Sequence, residues 1–159
     1  MTEKIIYPTL EQCLNIQKEI IAISGGSSGV YPDRIGYLES NLVHIQNDIY
    51  YPEFLDKLTH LFYCICKSNH SFVDANKRTS LGVCKLFLSL NDYNYVLYDF
   101  MFRLEDVTVA LACGKFDETE IRDILNRILD LEEFTEEQKL TILVSMELYQ
   151  KDNFKDSTN

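Results

Sequence analysis

The stretch His70-Ser71-Phe72-Val73-Asp74-Ala75-Asn76-Lys77-Arg78-Thr79, continued by Ser80-Leu81-Gly82-Val83-Cys84-Lys85-Leu86-Phe87-Leu88-Ser89-Leu90, decides how this chain folds. From Asn76 to Leu90 it is apolar almost all round, with Leu81, Val83, Cys84, Leu86, Phe87, Leu88 and Leu90 spread over every side. A helix with so little face to turn to water belongs in the middle of a bundle. The ten residues from His70 are the opposite: polar, ionisable, and wedged between that helix and an earlier one. In the earlier one Leu58, Leu61, Phe62 and Ile65 fall at core spacing from Glu53 to about Ser68-Asn69.

Working outward, the rest of the chain reads as further helices. Thr9 with Gln12 three residues on is a capping box, and Leu10, Cys13, Leu14, Ile20 and Ile21 share one face as far as Ile23. Ser24-Gly25-Gly26-Ser27-Ser28-Gly29 must be loop. A helix over Phe100 to Ala112 stops at Gly114, Asp117 and Glu120 start another with Ile121, Ile124, Leu125, Ile128 and Leu129 inward, and Thr135 with Gln138 caps a last one. In that last helix Leu140, Leu143, Val144 and Leu148 line up as a core stripe, and the polar tail from Asp152 is expected to fray. Two short stretches read otherwise: Lys4 to Tyr7 as a strand, and the tyrosine-rich Gln46 to Pro52 as a hairpin or flap. The expected fold is all-α for the most part, a bundle with one small β-flap and an extra C-terminal helix.

With 159 residues, one compact domain over 1–130 and a helical extension with polar tail over 131–159 are expected. Hydrophobic residues at 46% against 25% charged suffice for a core. A net charge of -10 leaves no general basic field for a nucleic-acid backbone, so no direct nucleic-acid binding is expected, and any phosphate must be gripped locally. No apolar run approaches the ~18 residues of a bilayer span, and Ile5 to Tyr7 is too short for a signal peptide, so the chain reads as cytoplasmic, with no membrane partner. Cys13, Cys64, Cys66, Cys84 and Cys113 sit in apolar, helical segments and read as buried thiols. Cys64 and Cys66 are two apart, which is the wrong spacing for a metal or redox pair.

The chemistry lies in residues 70–79. A loop feeding the N-terminus of a buried helix offers unpaired N–H groups, here those of Ala75, Asn76 and Lys77, to an anion. Lys77 and Arg78 add two positive charges at the same place. Asp74 is a hard oxygen ligand of the kind that holds Mg2+ beside phosphates, and His70 titrates near neutrality, as a general base requires. Taken singly, His70 reads as a dipole-complementing helix end, Asp74 as an N-cap, and Lys77 and Arg78 as surface residues. Cations in a first turn oppose the helix dipole, however, and a sequence breaks a local rule mainly where a site requires it. Together the residues describe phosphoryl or nucleotidyl transfer. Phe72 reads as an anchor to the core, and His44 and His60 as structural.

The run His70-x-Phe72-x-Asp74-Ala75-Asn76-Lys77-Arg78-Thr79 resembles the signature of the Fic superfamily, in the form found in its Doc (death-on-curing) branch. Gly25-Gly26, Gly29, Asp33, Gly36 and Leu38-Glu39-Ser40 resemble a second Doc-like segment, and Phe87-Leu88 before Asn91-Asp92 also fits. The resemblance, over roughly Ile5 to Leu129, implies about six helices with one β-flap. It implies His70 as base, Asp74 as metal ligand, Asn76 and Arg78 as phosphate clamps with Ala75 and Lys77 beside them, and Phe72 as anchor. It further implies ATP and Mg2+ as cofactors, and a target protein docked at the flap residues Gln46, Asn47, Asp48, Ile49 and Tyr50. Most Fic proteins transfer AMP and carry a second glycine where this chain has Lys77, and an arginine where it has Leu81. Both departures match the Doc branch, where ATP is thought to bind in the reverse sense and its terminal phosphate is transferred. The implied activity is that of a toxin of a toxin-antitoxin system, a protein kinase-type phosphotransferase acting on a Ser or Thr of elongation factor Tu. AMP transfer, or a non-catalytic binding module, are the alternatives. No Ser or Thr has Glu four residues later, so the family's self-inhibitory helix is missing and restraint is expected from a separate antitoxin chain.

Overall fold

The computed structural model describes residues 3–68 and 71–156. Seven α-helices follow in order: α1 (Leu10–Ser24), α2 (Ile35–His44), α3 (Phe54–Tyr63), α4 (Asn76–Leu90), α5 (Leu97–Ala112), α6 (Glu118–Leu129) and α7 (Glu136–Asp156). A π-helical turn, Cys64–Ser68, extends α3, and a 3-10 turn, Asn94–Val96, leads into α5. The fold is all-α, as its apolar periodicities predict.

α4 is the axis, packed by α1, α3 and α5 and by the π-helical turn, with Val83, Cys84, Phe87 and Leu88 fully enclosed. Gly82 is what lets α1 come so close. A Cβ there would sit 2.7 Å from Ile16 Cγ2 and 3.4 Å from Ile20 Cδ1, inside ordinary contact distance, so a larger residue would push the two helices apart. The capping boxes at Thr9, Asp117 and Thr135 are formed, each side chain accepting from the backbone N–H three residues on. α6 buries Ile121, Ile124, Leu125 and Ile128 against α3.

Four expectations change. Lys4 to Tyr7 is not a strand: it is held through the Asn91 amide, which accepts from the Ile6 N–H at 2.9 Å and donates to the Ile6 carbonyl at 2.8 Å. Residues 46–52 form no hairpin, and no strand occurs among the described residues. The stretch is a run of turns instead, because the Asn47 carboxamide oxygen accepts from the N–H groups of Ile49 and Tyr50 and so bends the backbone locally. The stripe Leu140, Leu143, Val144 and Leu148 is not the buried face of α7 but stands 42–61% exposed. The face turned inward carries Ser145, fully buried, with Thr141 and Ile142 beside it. The Thr135 cap and the Arg103 guanidinium, 4.2 Å from the Phe134 ring centroid, hold the chain where α7 begins. α7 also runs on as helix to Asp156, past the expected fray point.

Cysteine burial follows the reading at four positions of five. Cys113, at the end of α5, is exposed. Burial pushes the Cys13 and Cys64 thiols up to about 12 and Cys66 to about 11. Since the thiolate is the reacting species, brief iodoacetamide treatment of the folded chain at neutral pH is expected to add one adduct, at Cys113. Peptide mass mapping checks this, and modification of Cys13 or Cys84 in the native protein would contradict the packing described.

Candidate functional site

The site is built where the Gly-rich loop after α1 meets the turn before α4. Val30 and Phe72 form an antiparallel bridge. The Tyr31 N–H donates to the Ser71 carbonyl at 2.8 Å and the Val73 N–H to the Gly29 carbonyl at 3.1 Å, so the two loops lie strand-like side by side. Phe72, 1% exposed, drives its ring into the core and fixes this pairing from below.

Asp74 lies at the centre. Its Oδ1 accepts from the Ala75 N–H at 2.7 Å and its Oδ2 from the Ser27 N–H at 3.2 Å, while Arg78 Nη2 stands 4.0 Å from Oδ1. The Ala75 and Ser27 N–H groups, with Arg78 and Lys77 adding in the same sense, hold its pKa below the ordinary carboxylate value. The ionised form is therefore favoured by folding. That contribution is present above the pKa of the unfolded chain and is lost only as pH falls through the lower folded value. A carbon NMR titration of the Asp74 carboxyl is expected to place its midpoint below the ~3.9 of a free aspartate. A midpoint above that value would remove the two backbone bonds from the account.

Ala75, the residue before α4, sits in the left-handed region at φ 63°, a strained place for a residue with a Cβ. That twist aims the first N–H groups of α4 out of the chain direction. The first intrahelical bond is Thr79 N–H to the Ala75 carbonyl, so the N–H groups of Asn76, Lys77 and Arg78 have no partner within the helix. The Asn76 side chain is spent on the turn itself: its Nδ2 donates to the Phe72 carbonyl at 3.0 Å and its Oδ1 accepts from the Phe72 N–H at 3.3 Å. Arg78 Nη1 donates to Ser24 Oγ and, at 3.3 Å, to the Gly25 carbonyl. It thus ties the end of α1 to the start of α4, while its Nη2 faces the Asp74 carboxylate. Lys77 leans the other way, its ammonium 5.9 Å from the Tyr149 ring centroid on α7. His70 lies outside the described residues.

The flap residues are held by partners of their own. Gln46 Nε2 donates to the Leu42 carbonyl at 3.0 Å, and Asp48 accepts from Lys57 Nζ at 2.7 Å. Lys57 is fully buried and also donates to the Ile45 carbonyl at 2.8 Å, so the turn is pinned from beneath while Ile49 and Tyr50 stand 88% and 68% exposed at its tip.

Two contributors escape a motif reading. Gln17, 1% exposed on α1, sends Nε2 to the carbonyls of Asp74 at 3.2 Å and Ser27 at 3.4 Å, and its Oε1 accepts from the Gly29 N–H at 3.4 Å. The signal was present: Gln17 is a polar residue on the same face as Leu10, Cys13 and Leu14, and a buried amide needs partners. The other is Gly26, at φ 113°, where a Cβ would overlap Asp74 Oδ2. The carboxylate occupies the space a side chain would take.

A divalent ion fits this cradle. Asp74 offers an ionised, half-exposed carboxylate, and among the described residues no group of three or more ligating side chains surrounds it. An ion held there by Asp74 would need its remaining ligands from substrate oxygens and water, which is how Mg2+ is commonly held.

Residues 7–88 match the Fic/DOC family. Over 120 residues the chain is also 28% identical to the protein kinase doc of Escherichia phage P1, an alignment covering 74% of this chain and 91% of that protein. The family match takes in both loops of the cradle and all but the last two residues of α4. The cavity beside Lys77 extends to α5 and α7, which lie beyond it.

Proposed function

This chain belongs to the Fic/DOC family, and from that premise we propose that it is an ATP- and Mg2+-dependent phosphotransferase acting on a Ser or Thr hydroxyl of a protein, as a Doc-like toxin. One observation carries the reading. An ionised Asp74, the free N–H groups of α4 and the Arg78 guanidinium converge within the first turn of one helix, in a chain whose net charge is -10. A positive helix end placed beside an ionised carboxylate and a guanidinium suits a metal-bound polyphosphate.

In the proposed reaction His70 takes the proton of the target hydroxyl. The freed oxygen forms a bond to the terminal phosphorus of ATP, the bond from that phosphorus to the bridging oxygen breaks, and ADP leaves with the electron pair. The N–H groups of Asn76, Lys77 and Arg78 and the Arg78 guanidinium hold the transferred phosphoryl oxygens, stabilising charge that spreads over them in the transition state. Asn76 and Phe72 keep the turn rigid so that those donors need not reorganise. Mg2+, held by Asp74, would neutralise the phosphate charge. Ile49 and Tyr50 present the target, and the pinned turn beneath them keeps that surface preformed. Elongation factor Tu is the target proposed from the family resemblance, and a separate antitoxin the restraint. The relative from phage P1, named a protein kinase, supports phosphoryl over AMP transfer, as do Lys77 and Leu81.

The deciding experiment incubates the full chain with a bacterial lysate and ATP labelled at either the terminal or the α phosphate. Terminal label on one protein, removed by a phosphatase, is expected. Label from the α position instead would make the enzyme an AMP transferase, and label from neither would remove the enzymatic reading.

Among the described residues no helix is long and apolar enough to cross a membrane.

A further inference from the structure

A cavity of about 850 Å3 lies between α1, α4, α5 and α7. Its lining is mostly apolar but includes charged residues: Lys77, Arg78 and Lys85 from α4, Glu19 from α1 and Glu105 from α5. Two of its aromatic residues have no role in the core. Tyr98 and Phe102, one turn apart on α5, stand 84% and 71% exposed with their rings 6.2 Å apart and within 5° of parallel. A third ring, that of Tyr149, closes the cavity from α7 and meets the Lys77 ammonium. Exposed aromatic faces are costly to leave in water, and three rings lining one cavity, two of them parallel, offer flat surfaces to a flat ligand.

We infer that Tyr98, Phe102 and Tyr149 receive the base of a nucleoside polyphosphate whose phosphates lie at Lys77 and Arg78, so that the C-terminal helix completes the nucleotide site. The inference rests on the function proposed above and adds where the nucleoside goes. Charge selects this occupant. Lys77 and Arg78 stand in the first turn of α4, where its amides already favour an anion, and Lys85 lies two turns further along the same helix, in an otherwise acidic chain. An apolar peptide or a lipid would need the aromatic walls and would gain nothing from that end. Glu19 and Glu105 are acceptors placed for ribose hydroxyls or an exocyclic amine, groups that a bare phosphate lacks. Volume agrees, since pockets of about 300–1,000 Å3 take ligands of this size. Tyr149 lies outside the stretch that matches the family, so the site would carry a wall this chain has added.

Calorimetric titration of the full chain with Mg·ATP, and with Mg·tripolyphosphate as a probe lacking base and sugar, tests this. Tyr149→Ala and Phe102→Ala are each expected to weaken Mg·ATP by roughly 5- to 100-fold, the range of one base stacked on one aromatic ring. Tripolyphosphate should bind both variants as it binds the parent, and Tyr149→Phe should retain ATP. Circular dichroism and melting temperature confirm that the variants fold; Phe102 is too exposed to be needed by the core. Unchanged ATP affinity in both alanine variants overturns the inference while leaving the phosphate site standing. Equal weakening of ATP and tripolyphosphate also overturns it, because Tyr149 would then act through Lys77. If the parent chain binds neither probe, the proposed function falls and this inference with it.

Discussion

In a His70→Ala chain, transfer of the terminal phosphate of ATP to a protein hydroxyl is expected to fall by about 10^2- to 10^4-fold, the usual contribution of a positioned base. Mg·ATP affinity should stay as it was. The separation follows from the proposed division of labour at the cradle: the amides of α4, Arg78 and an ion at Asp74 would grip the phosphates, and the imidazole would take only the proton. Two measurements check it, incorporation of terminal-phosphate label into lysate protein and calorimetric titration with Mg·ATP. Arrest of bacterial growth on expression of the parent chain, relieved in the variant, gives a third reading in the cell. A variant that retained full transfer would assign the base elsewhere. A variant that lost transfer and binding together would make His70 a structural residue.

The second large effect comes from a residue with no side chain. Gly26→Ala places a Cβ on top of Asp74 Oδ2 and 2.9 Å from Ile21 Cδ1, at a φ of 113° that L side chains rarely adopt. Asp74 must give way, since Ile21 is held in α1. Displacing the carboxylate by about 1 Å is expected to lower transfer by about 10^2-fold. The strained backbone should in addition cost about 1–3 kcal/mol of stability. Gly25→Ala separates the two terms. Gly25 also has a positive φ, 84°, but a Cβ there meets nothing within 4 Å. It should therefore lose stability and keep most of its transfer activity. Labelled transfer and urea midpoints on both variants give the answer. Equal loss of activity in the two would show that loop strain, and not the Asp74 position, limits the reaction.

Both predictions use groups that were legible to different degrees. His70, Asp74 and Arg78 stand in a motif that breaks the rule against cations in a first helical turn, and such a break is visible in one dimension. The role of Gly26 is not visible there. Its neighbour Gly25 looks the same in sequence, and only the approach of a carboxylate 48 residues away distinguishes them. Gln17 is intermediate, a polar residue on an apolar stripe that announces a buried bond without saying to what. The tyrosine-rich 46–52 stretch was misread because β-propensity was given weight over Asn47, whose side chain can cap a turn of its own and did.

What the sequence determined by itself was every helix with a strong local cause: α1, α6 and α7 begin at capping boxes, and α4 is apolar on too many sides to lie anywhere but the centre. These are decided by residues three or four apart, and short-range bonding is written in short-range order. Tertiary structure alone decided which face α7 buries, which glycine yields its space to Asp74, and that Tyr98, Phe102 and Tyr149 share one cavity with Lys77. Each of those depends on how two helices are rotated against each other, and rotation is set by packing among residues that the chain brings together only when it closes.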